Sequence, residues 1–167
     1  MKKFFTNPQT LEELKQQYRA LAMQHHPDRG GCVETMKSVN NEYNVLFDQL
    51  KDTHKTKDGE IYTAKNPTNE TAEQFKDLIS ELMQMDEIEI EIIGCFVWVT
   101  GNTKQYKDRL KALKFQWHNK KTAWYLKPED YKRRSRKDYS LDDIRQMYGT
   151  SGKVNSNGTT KIDEKTA

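Results

Sequence analysis

The sequence predicts an α+β protein in which an N-terminal antiparallel helical hairpin precedes a small domain with the element order α-β-β-α-β-β. Apolar residues recur at steps of three and four on both sides of a His-Pro-Asp tripeptide, which is typical of two amphipathic helices. Isoleucine and glutamate alternate over residues 87–92, which is typical of a half-buried strand. Charged residues make up 32% and apolar residues 34% of the 167 residues, which favours two small cores over one large core.

The helical hairpin is predicted for residues 11–50. The apolar stripe of its first helix consists of Leu11, Leu14, Tyr18, Leu21 and Ala22. The apolar stripe of its second helix consists of Met36, Val39, Tyr43, Leu46 and Leu50. Two such helices joined by a short loop are expected to pair antiparallel, because each buries the stripe that the other leaves exposed. Pro27 and the pair Gly30-Gly31 separate the helices, which places His26 and Asp28 at the exposed end of the hairpin.

The residues before the hairpin are expected to complete its start. Phe4 and Phe5 are expected to pack across the hairpin and cover its apolar face, with Pro8 closing that turn. Thr10 and Glu13 have the spacing of a capping box, so the first helix is expected to begin after Thr10.

Three segments of the hairpin carry a family pattern: Tyr18-Arg19-Ala20-Leu21-Ala22, His26-Pro27-Asp28-Arg29 and Val39-Asn40-Asn41-Glu42-Tyr43. Together they resemble the J-domain, the module by which DnaJ-type co-chaperones stimulate a DnaK-type ATPase chaperone. The resemblance covers about residues 4–50, under a third of the chain. The run HPDRGG followed by MKSVNNEY is particularly similar to J-domains of viral tumour antigens and to short J-proteins of bacteria and their mobile elements.

The resemblance implies a chaperone-binding site around the tripeptide His26-Pro27-Asp28 and the following Arg29. In the family, the aspartate forms an ion pair with an arginine of the chaperone, and the histidine hydrogen-bonds within the loop or to the partner. The alternative from the residues alone is an ordinary loop histidine and a helix-capping aspartate. The resemblance implies no cofactor and no catalytic group in this chain, because ATP hydrolysis takes place in the chaperone.

The resemblance also implies a basic face on the first helix that steers the module to an acidic patch of the chaperone. Lys15 and Arg19 are the residues expected on this outward face. Ala20 and Gln24 occupy positions that are often basic, so the steering is expected to be weaker than usual. The alternative interpretation of Lys15 and Arg19 is an ordinary solvated helix face.

The predicted domain boundaries follow changes in composition. Residues 1–50 form the hairpin, and the polar residues 51–67 are expected to be a linker. Residues 68–149 are expected to form the α+β domain with a basic C-terminal segment. Residues 150–167 are rich in Gly, Ser, Asn, Thr and Lys and are expected to be disordered.

The predicted α+β domain has a strong charge asymmetry. Residues 70–91 contain eight acidic residues and one basic residue, whereas residues 101–137 contain thirteen basic and three acidic residues. Such polarity indicates either internal pairing of the two segments or a binding face for an anion. The second candidate set, for contact with nucleic acid or a client protein, is Lys120, Lys121, Trp124, Lys132, Arg133, Arg134, Arg136 and Lys137.

The aromatic residues of this domain allow two interpretations. The pattern of Phe115, Trp117, Lys120, Lys121, Ala123, Trp124 and Tyr125 is similar to a small module found in proteins of mobile elements. Aromatic rings beside lysines suit stacking on bases and contact with a phosphate backbone. The favoured alternative is that Trp98, Trp117 and Trp124 fill the core of so small a domain. The run from Lys132 to Lys137 is either a phosphate contact, a solvated connector or a partner of the acidic strand.

The composition also predicts a reduced, cytoplasmic environment. No apolar run approaches the length needed to span a bilayer, and the start MKKFFTNPQT lacks the apolar core of a signal peptide. Cys32 and Cys95 lie far apart and without metal-ligand spacing, which favours reduced thiols in a cytosolic protein. We therefore expect no contact with a membrane and no bound metal.

The leading hypothesis is a non-catalytic J-domain co-chaperone whose C-terminal domain targets a DnaK-type chaperone to a client, such as a nucleoprotein or replication complex. The alternative is a nucleic-acid-binding protein in which the hairpin is a protein–protein contact. An enzyme is the third hypothesis, because His25, His26, Asp28 and Cys32 cluster in sequence. The hairpin explains the first three of these residues without an active site.

Overall fold

The computed structural model describes residues 3–56, 58–93, 96–128, 131, 137–148, 153–155 and 160–161. The chain forms two compact units, Met1–Met83 and Gln84–Ala167. Unit 1 contains α1 (Leu11–His25), α2 (Val33–Leu50), β1 (Thr53–Lys55), β2 (Ile61–Thr63) and α3 (Ala72–Met83). Among the described residues, no helix has both the length and the apolar character required to cross a bilayer.

The predicted antiparallel hairpin is confirmed in α1 and α2. The rings of Tyr18 and Tyr43 lie 4.4 Å apart at its centre, and the Tyr18 hydroxyl donates a hydrogen bond of 3.0 Å to Asn40. The buried stripe of α2 differs from the prediction at its C-terminal end, where Phe47 is buried and Leu46 is half-buried. These contacts fix the register of the two helices and thereby the position of the loop that joins them.

The N-terminal segment covers one end of the hairpin, as predicted. Phe5 is buried 6.3 Å from the ring of Tyr43, and Phe4 lies edge-on to His25 at 6.2 Å. The backbone N–H groups of both phenylalanines donate to the Glu42 carboxylate, at 2.9 and 3.3 Å. The segment is therefore held by α2 although it forms no helix.

The capping interactions expected at the start of α1 are present. Thr10 accepts a hydrogen bond from the N–H of Glu13 at 3.3 Å. The Glu13 carboxylate accepts from the N–H of Gln9 at 2.8 Å, one residue before the position that a capping box uses. The first bond satisfies a backbone donor that α1 itself leaves unpaired, and the second ties the residue before the N-cap to the helix.

Helix α3 belongs to the hairpin unit, so the boundary predicted at residue 68 is wrong. Its Phe75 packs between Tyr18 and Tyr43, with ring centroids 6.0 and 6.1 Å away. The N-terminal segment is too short to cover the whole apolar face of the hairpin, and α3 packs against both α1 and α2. Thr71 and Gln74 cap its start reciprocally, through hydrogen bonds of 2.9 and 3.3 Å.

The predicted linker at residues 51–67 is partly ordered into a β-hairpin. Strands β1 and β2 pair antiparallel, with His54 opposite Tyr62. The Glu12 carboxylate of α1 lies 2.8 Å from His54 Nδ1, which raises the pKa of His54 against the opposing effect of its burial. The polar sequence of this segment did not predict the two strands. Their pairing is stabilised by backbone hydrogen bonds and ion pairs rather than by an apolar stripe.

Unit 2 contains β3 (Ile88–Ile93), β4 (Phe96–Gly101), α4 (Lys107–Ala112), β5 (Gln116–His118), β6 (Ala123–Leu126), α5 (Leu141–Tyr148), β7 (Lys153–Asn155) and β8 (Thr160–Lys161). All neighbouring strands are antiparallel, in the order β5-β6-β4-β3-β7-β8. The predicted strand–strand–helix–strand–strand order is confirmed. The prediction that residues 150–167 are disordered throughout is not confirmed, since β7 and β8 lie within that range.

The strand register divides the side chains of the sheet between two faces. Ile90 pairs with Val99, Val99 with Trp124, and Trp124 with Trp117, so these residues share one face. The opposite face was expected to expose glutamates, but Glu91 is buried. Arg145 of α5 binds its carboxylate through two hydrogen bonds of 2.8 Å. The acidic strand thus pairs with a helix that follows the basic segment along the chain.

Candidate functional site

The turn between α1 and α2 is a single 3₁₀ turn, Pro27–Arg29. Pro27 ends α1, because it forces His26 out of the helical region to φ −63° and ψ 134°. The N–H groups of Arg29 and Gly31 both donate to the carbonyl of His26 at 3.0 Å. The turn is therefore closed by its own backbone and presents its side chains in one arrangement.

Two glycines make this turn geometrically possible. Gly30 has φ +80°, a conformation that residues with a Cβ rarely adopt. A Cβ on Gly31 would lie only 2.0 Å from the carbonyl oxygen of His25, so the backbone approaches too closely for any side chain. The Gly30-Gly31 pair is thus required by the shape of the turn.

The tripeptide presents one exposed carboxylate beside an ordered imidazole. The Asp28 side chain is 64% exposed, whereas His26 is largely covered. His26 Nδ1 accepts a hydrogen bond of 3.3 Å from the N–H of Asp28 and lies 3.6 Å from Asp28 Oδ2. The imidazole orders the loop and the carboxylate is exposed to solvent, so Asp28 can accept a charge-assisted hydrogen bond from a cationic partner.

The other residues of the candidate set around the loop differ in exposure. Pro27 is exposed and Arg29 is half-buried. Cys32 is exposed at the start of α2, where hydrogen bonds from Thr35 lower its pKa. Within the described residues there is no cluster of three or more His, Cys, Asp or Glu side chains that could hold a metal ion.

Lys15 and Arg19 do not form the outward basic face that the sequence predicts. Lys15 donates hydrogen bonds of 2.6 and 2.8 Å to the two carboxylate oxygens of Glu70, and its side chain is 10% exposed. Its ammonium lies 5.0 Å from the centre of the Phe75 ring. Arg19 is 2% exposed. Both cations are buried, and Glu70, in the segment leading into α3, binds Lys15.

The second candidate set, in unit 2, is only partly available to a ligand. Lys120 and Lys121 both pair with Asp138, at 3.1 and 2.9 Å, and the Lys121 side chain is 8% exposed. Hydrogen bonds from Lys121 and Lys120 lower the pKa of Asp138 to about 2. Lys137 lies over the ring of Tyr139 at 5.2 Å. Residues Lys132, Arg133, Arg134 and Arg136 lie outside the described residues.

Trp124 is buried in the core of unit 2, so it is not available to stack on a base. It is buried on the strand face that it shares with Val99 and packs edge-on against Trp117 at 5.5 Å. Trp117 lies on the edge strand β5 and is 45% exposed. A stacking surface on this face would therefore have to use Trp117.

Replacing these two tryptophans should have unequal effects on stability. Trp124→Ala is expected to lower the free energy of unfolding of unit 2 by about 3–5 kcal/mol, since it leaves a cavity in the core. Trp117→Ala should lower it by about 1 kcal/mol, mainly through the lost ring contact. Urea denaturation followed by fluorescence of the remaining tryptophans measures both. Equal losses would contradict the assignment of Trp124 to the core.

Three contributors to these sites were not predicted from the sequence. Glu70, Phe75 and Asp138 each bind a cation of a candidate set from a distant part of the chain. Glu70 and Asp138 look like ordinary surface acids in the sequence, and Phe75 was assigned to the other domain. The excess of acidic residues at 70–91 was the available signal, and it indicated complementarity without naming the partners.

The antiparallel helical hairpin with a His-Pro-Asp turn between its helices is the arrangement that the resemblance to J-domains implies. Residues 6–55 match the model of the DnaJ domain family. This part of the chain is therefore a DnaJ domain, as the resemblance of its three segments predicted. The matched span includes α1, the turn, α2 and β1, and it ends before α3.

The chain is similar to parts of longer proteins. It is 30% identical over 87 residues to ER-phagy receptor 1 of Schizosaccharomyces pombe, which covers 52% of this chain and 22% of the receptor. It is 43% identical over 44 residues to DnaJ homolog subfamily C member 5B of Sus scrofa and of Bos taurus, which covers 24% of this chain and 22% of each relative. The chain thus spans about a fifth of the curated relatives it matches. No solved structure matches it significantly.

Proposed function

We propose that this protein is a J-domain co-chaperone that recruits an Hsp70-type chaperone of the DnaK kind and stimulates its ATPase. The observation that carries the proposal is the ordered turn at the end of the hairpin, with Asp28 exposed and His26 holding the backbone. A DnaJ domain at residues 6–55 supports an Hsp70-type partner. The exposed carboxylate is suited to an ion pair with an arginine of the chaperone.

In this proposal the chain itself performs no chemistry and needs no cofactor. ATP is hydrolysed in the chaperone, whose hydrolytic conformation binds the loop more tightly than its resting conformation does. The stimulation is then limited by the difference between these two affinities. A variant that loses the carboxylate should lose stimulation without changing the basal ATPase rate of the chaperone.

Unit 2 is proposed to bind the client. It is compact in its own right, so it can bind a second protein while the hairpin binds the chaperone. The similarity of the run HPDRGG…MKSVNNEY to viral and mobile-element J-proteins suggests a nucleoprotein or replication complex as the client, in the cytosol of a bacterial cell. Among the described lysines of the second candidate set, the Lys121 side chain is buried in its ion pair, whereas Lys120 and Lys137 are exposed. Direct nucleic-acid binding through these exposed lysines therefore stays the alternative prediction.

The test is single-turnover ATP hydrolysis by a purified DnaK-type chaperone with and without the full chain. The wild-type protein is expected to accelerate hydrolysis, and His26→Gln should abolish most of the acceleration, because the ordered turn loses its imidazole acceptor. The unfolding transition of the variant should remain close to that of the wild type. A folded wild-type protein that leaves the hydrolysis rate unchanged would rule out the proposed function.

A further inference from the structure

We infer that Glu70 sets the affinity of this J-domain for its chaperone by holding Lys15 in an internal ion pair. The inference rests on the proposed function, and it concerns a residue outside the span that matches the family model. Glu70 binds the ammonium group of Lys15, which an acidic surface of the chaperone would otherwise bind.

The distances between Lys15 and Glu70 show that the two side chains form a hydrogen-bonded ion pair. Both carboxylate oxygens of Glu70 accept hydrogen bonds from its Nζ, at 2.6 and 2.8 Å. The Glu70 side chain is itself only 23% exposed, so solvent screens the pair weakly. The ring of Phe75 covers another side of the ammonium at 5.0 Å. A chaperone carboxylate would have to displace Glu70 to reach this cation.

Glu70 is held in position by the segment before it. The N–H of Glu70 donates to the hydroxyl of Thr68 at 3.2 Å, and the N–H of Thr68 donates to Asp52 at 2.8 Å. Asp52 lies two residues after the last residue of α2. Since the backbone around the carboxylate is already ordered, forming the ion pair costs little additional conformational entropy.

The remaining exposed surface of α1 offers no other cation between residues 14 and 24. The only basic residues in this range are Lys15 and Arg19, and both are buried. Its partly or fully exposed polar positions are the uncharged Gln16, Gln17 and Gln24. Electrostatic steering by α1 should therefore be weak in the wild-type protein, and binding should depend little on salt.

The test is the dissociation constant of the full chain for an ATP-bound DnaK-type chaperone, measured at several salt concentrations. Glu70→Gln should lower the dissociation constant about threefold to tenfold at low salt, and the gain should shrink as salt rises. Glu70→Asp keeps the charge but shortens the side chain, so it should give a smaller gain. Glu60→Gln is the matched control, since it removes the same charge from an exposed position.

A double substitution separates release of Lys15 from a general change in charge. Lys15→Gln alone should change the dissociation constant by less than twofold, because Lys15 is already bound to Glu70 in the wild-type protein. In Glu70→Gln with Lys15→Gln, the gain should disappear. A gain that persists in the double variant would overturn the inference, as would two folded Glu70 variants that bind like the wild type.

Failure of this inference is distinguishable from failure of the proposed function. If wild-type protein stimulates hydrolysis and both Glu70 variants bind with wild-type affinity and salt dependence, the inference fails and the proposed function stands. If neither the wild type nor the Glu70 variants bind or stimulate the chaperone, both fail. If Glu70→Gln stimulates at concentrations where the wild type does not, both are supported.

Discussion

Asp28→Asn is expected to reduce stimulation of the chaperone ATPase about thirtyfold. Asp28 carries the exposed carboxylate of the turn, whereas asparagine keeps its size and shape without its charge. Loss of one partner from a hydrogen-bonded ion pair at an interface costs about 2 kcal/mol or more, which corresponds to this factor. The measurement is single-turnover hydrolysis at a series of co-chaperone concentrations, which separates weaker binding from a smaller maximal rate.

The matched control for this variant is Glu34→Gln. Glu34 lies in the first turn of α2, its side chain is 81% exposed, and it pairs with Lys37 on the surface at 3.4 Å. Removing its charge should change stimulation by less than twofold, because exposed pairs of this kind contribute little. Stimulation by Asp28→Asn equal to that of the wild type would contradict the role assigned to the turn.

Phe75→Ala is expected to destabilise unit 1 by about 3–5 kcal/mol, the usual range for truncating a buried phenylalanine. Phe75 is 2% exposed and contacts Tyr18 and Tyr43 from outside the hairpin. Domains of this size are stable by about 5–15 kcal/mol, so the loss is a large part of the total. Thermal unfolding followed by far-UV circular dichroism should show a lower midpoint for the helices.

Amide hydrogen exchange locates this effect within the chain. If α3 completes the core of the hairpin, the amides of α1 and α2 should exchange faster in Phe75→Ala. Asp77→Ala, on the exposed side of α3, should leave their exchange close to that of the wild type. Unchanged exchange in α1 and α2 of the phenylalanine variant would show that α3 is not part of their core.

The structure changes what the J-domain match alone implies. The match ends at residue 55, but the apolar face of the hairpin is closed by α3, which begins at Ala72. Glu70 and Phe75 lie on the same added segment and both contact Lys15. One segment therefore stabilises the hairpin and covers its predicted basic face, so stability and chaperone affinity are expected to respond together to changes in it.

The sequence by itself determined the features that depend on local spacing. Helical periodicity located α1 and α2, Pro27 and the Gly30-Gly31 pair located the turn, and strict alternation located β3. Capping pairs such as Thr71 with Gln74 were also readable, because their partners lie three residues apart. The exposed position of Asp28 followed from the same local signals.

Only the tertiary structure decided which elements pack together and which charges meet. An amphipathic stripe shows that a helix packs against another element, but it does not identify that element. For this reason α3 was assigned to the wrong unit. A lysine has an apolar stem and a charged end, so Lys15 suits a solvated face or a buried ion pair equally well in the sequence. Its burial depends on Glu70, 55 residues away, which only folding brings within 2.6 Å.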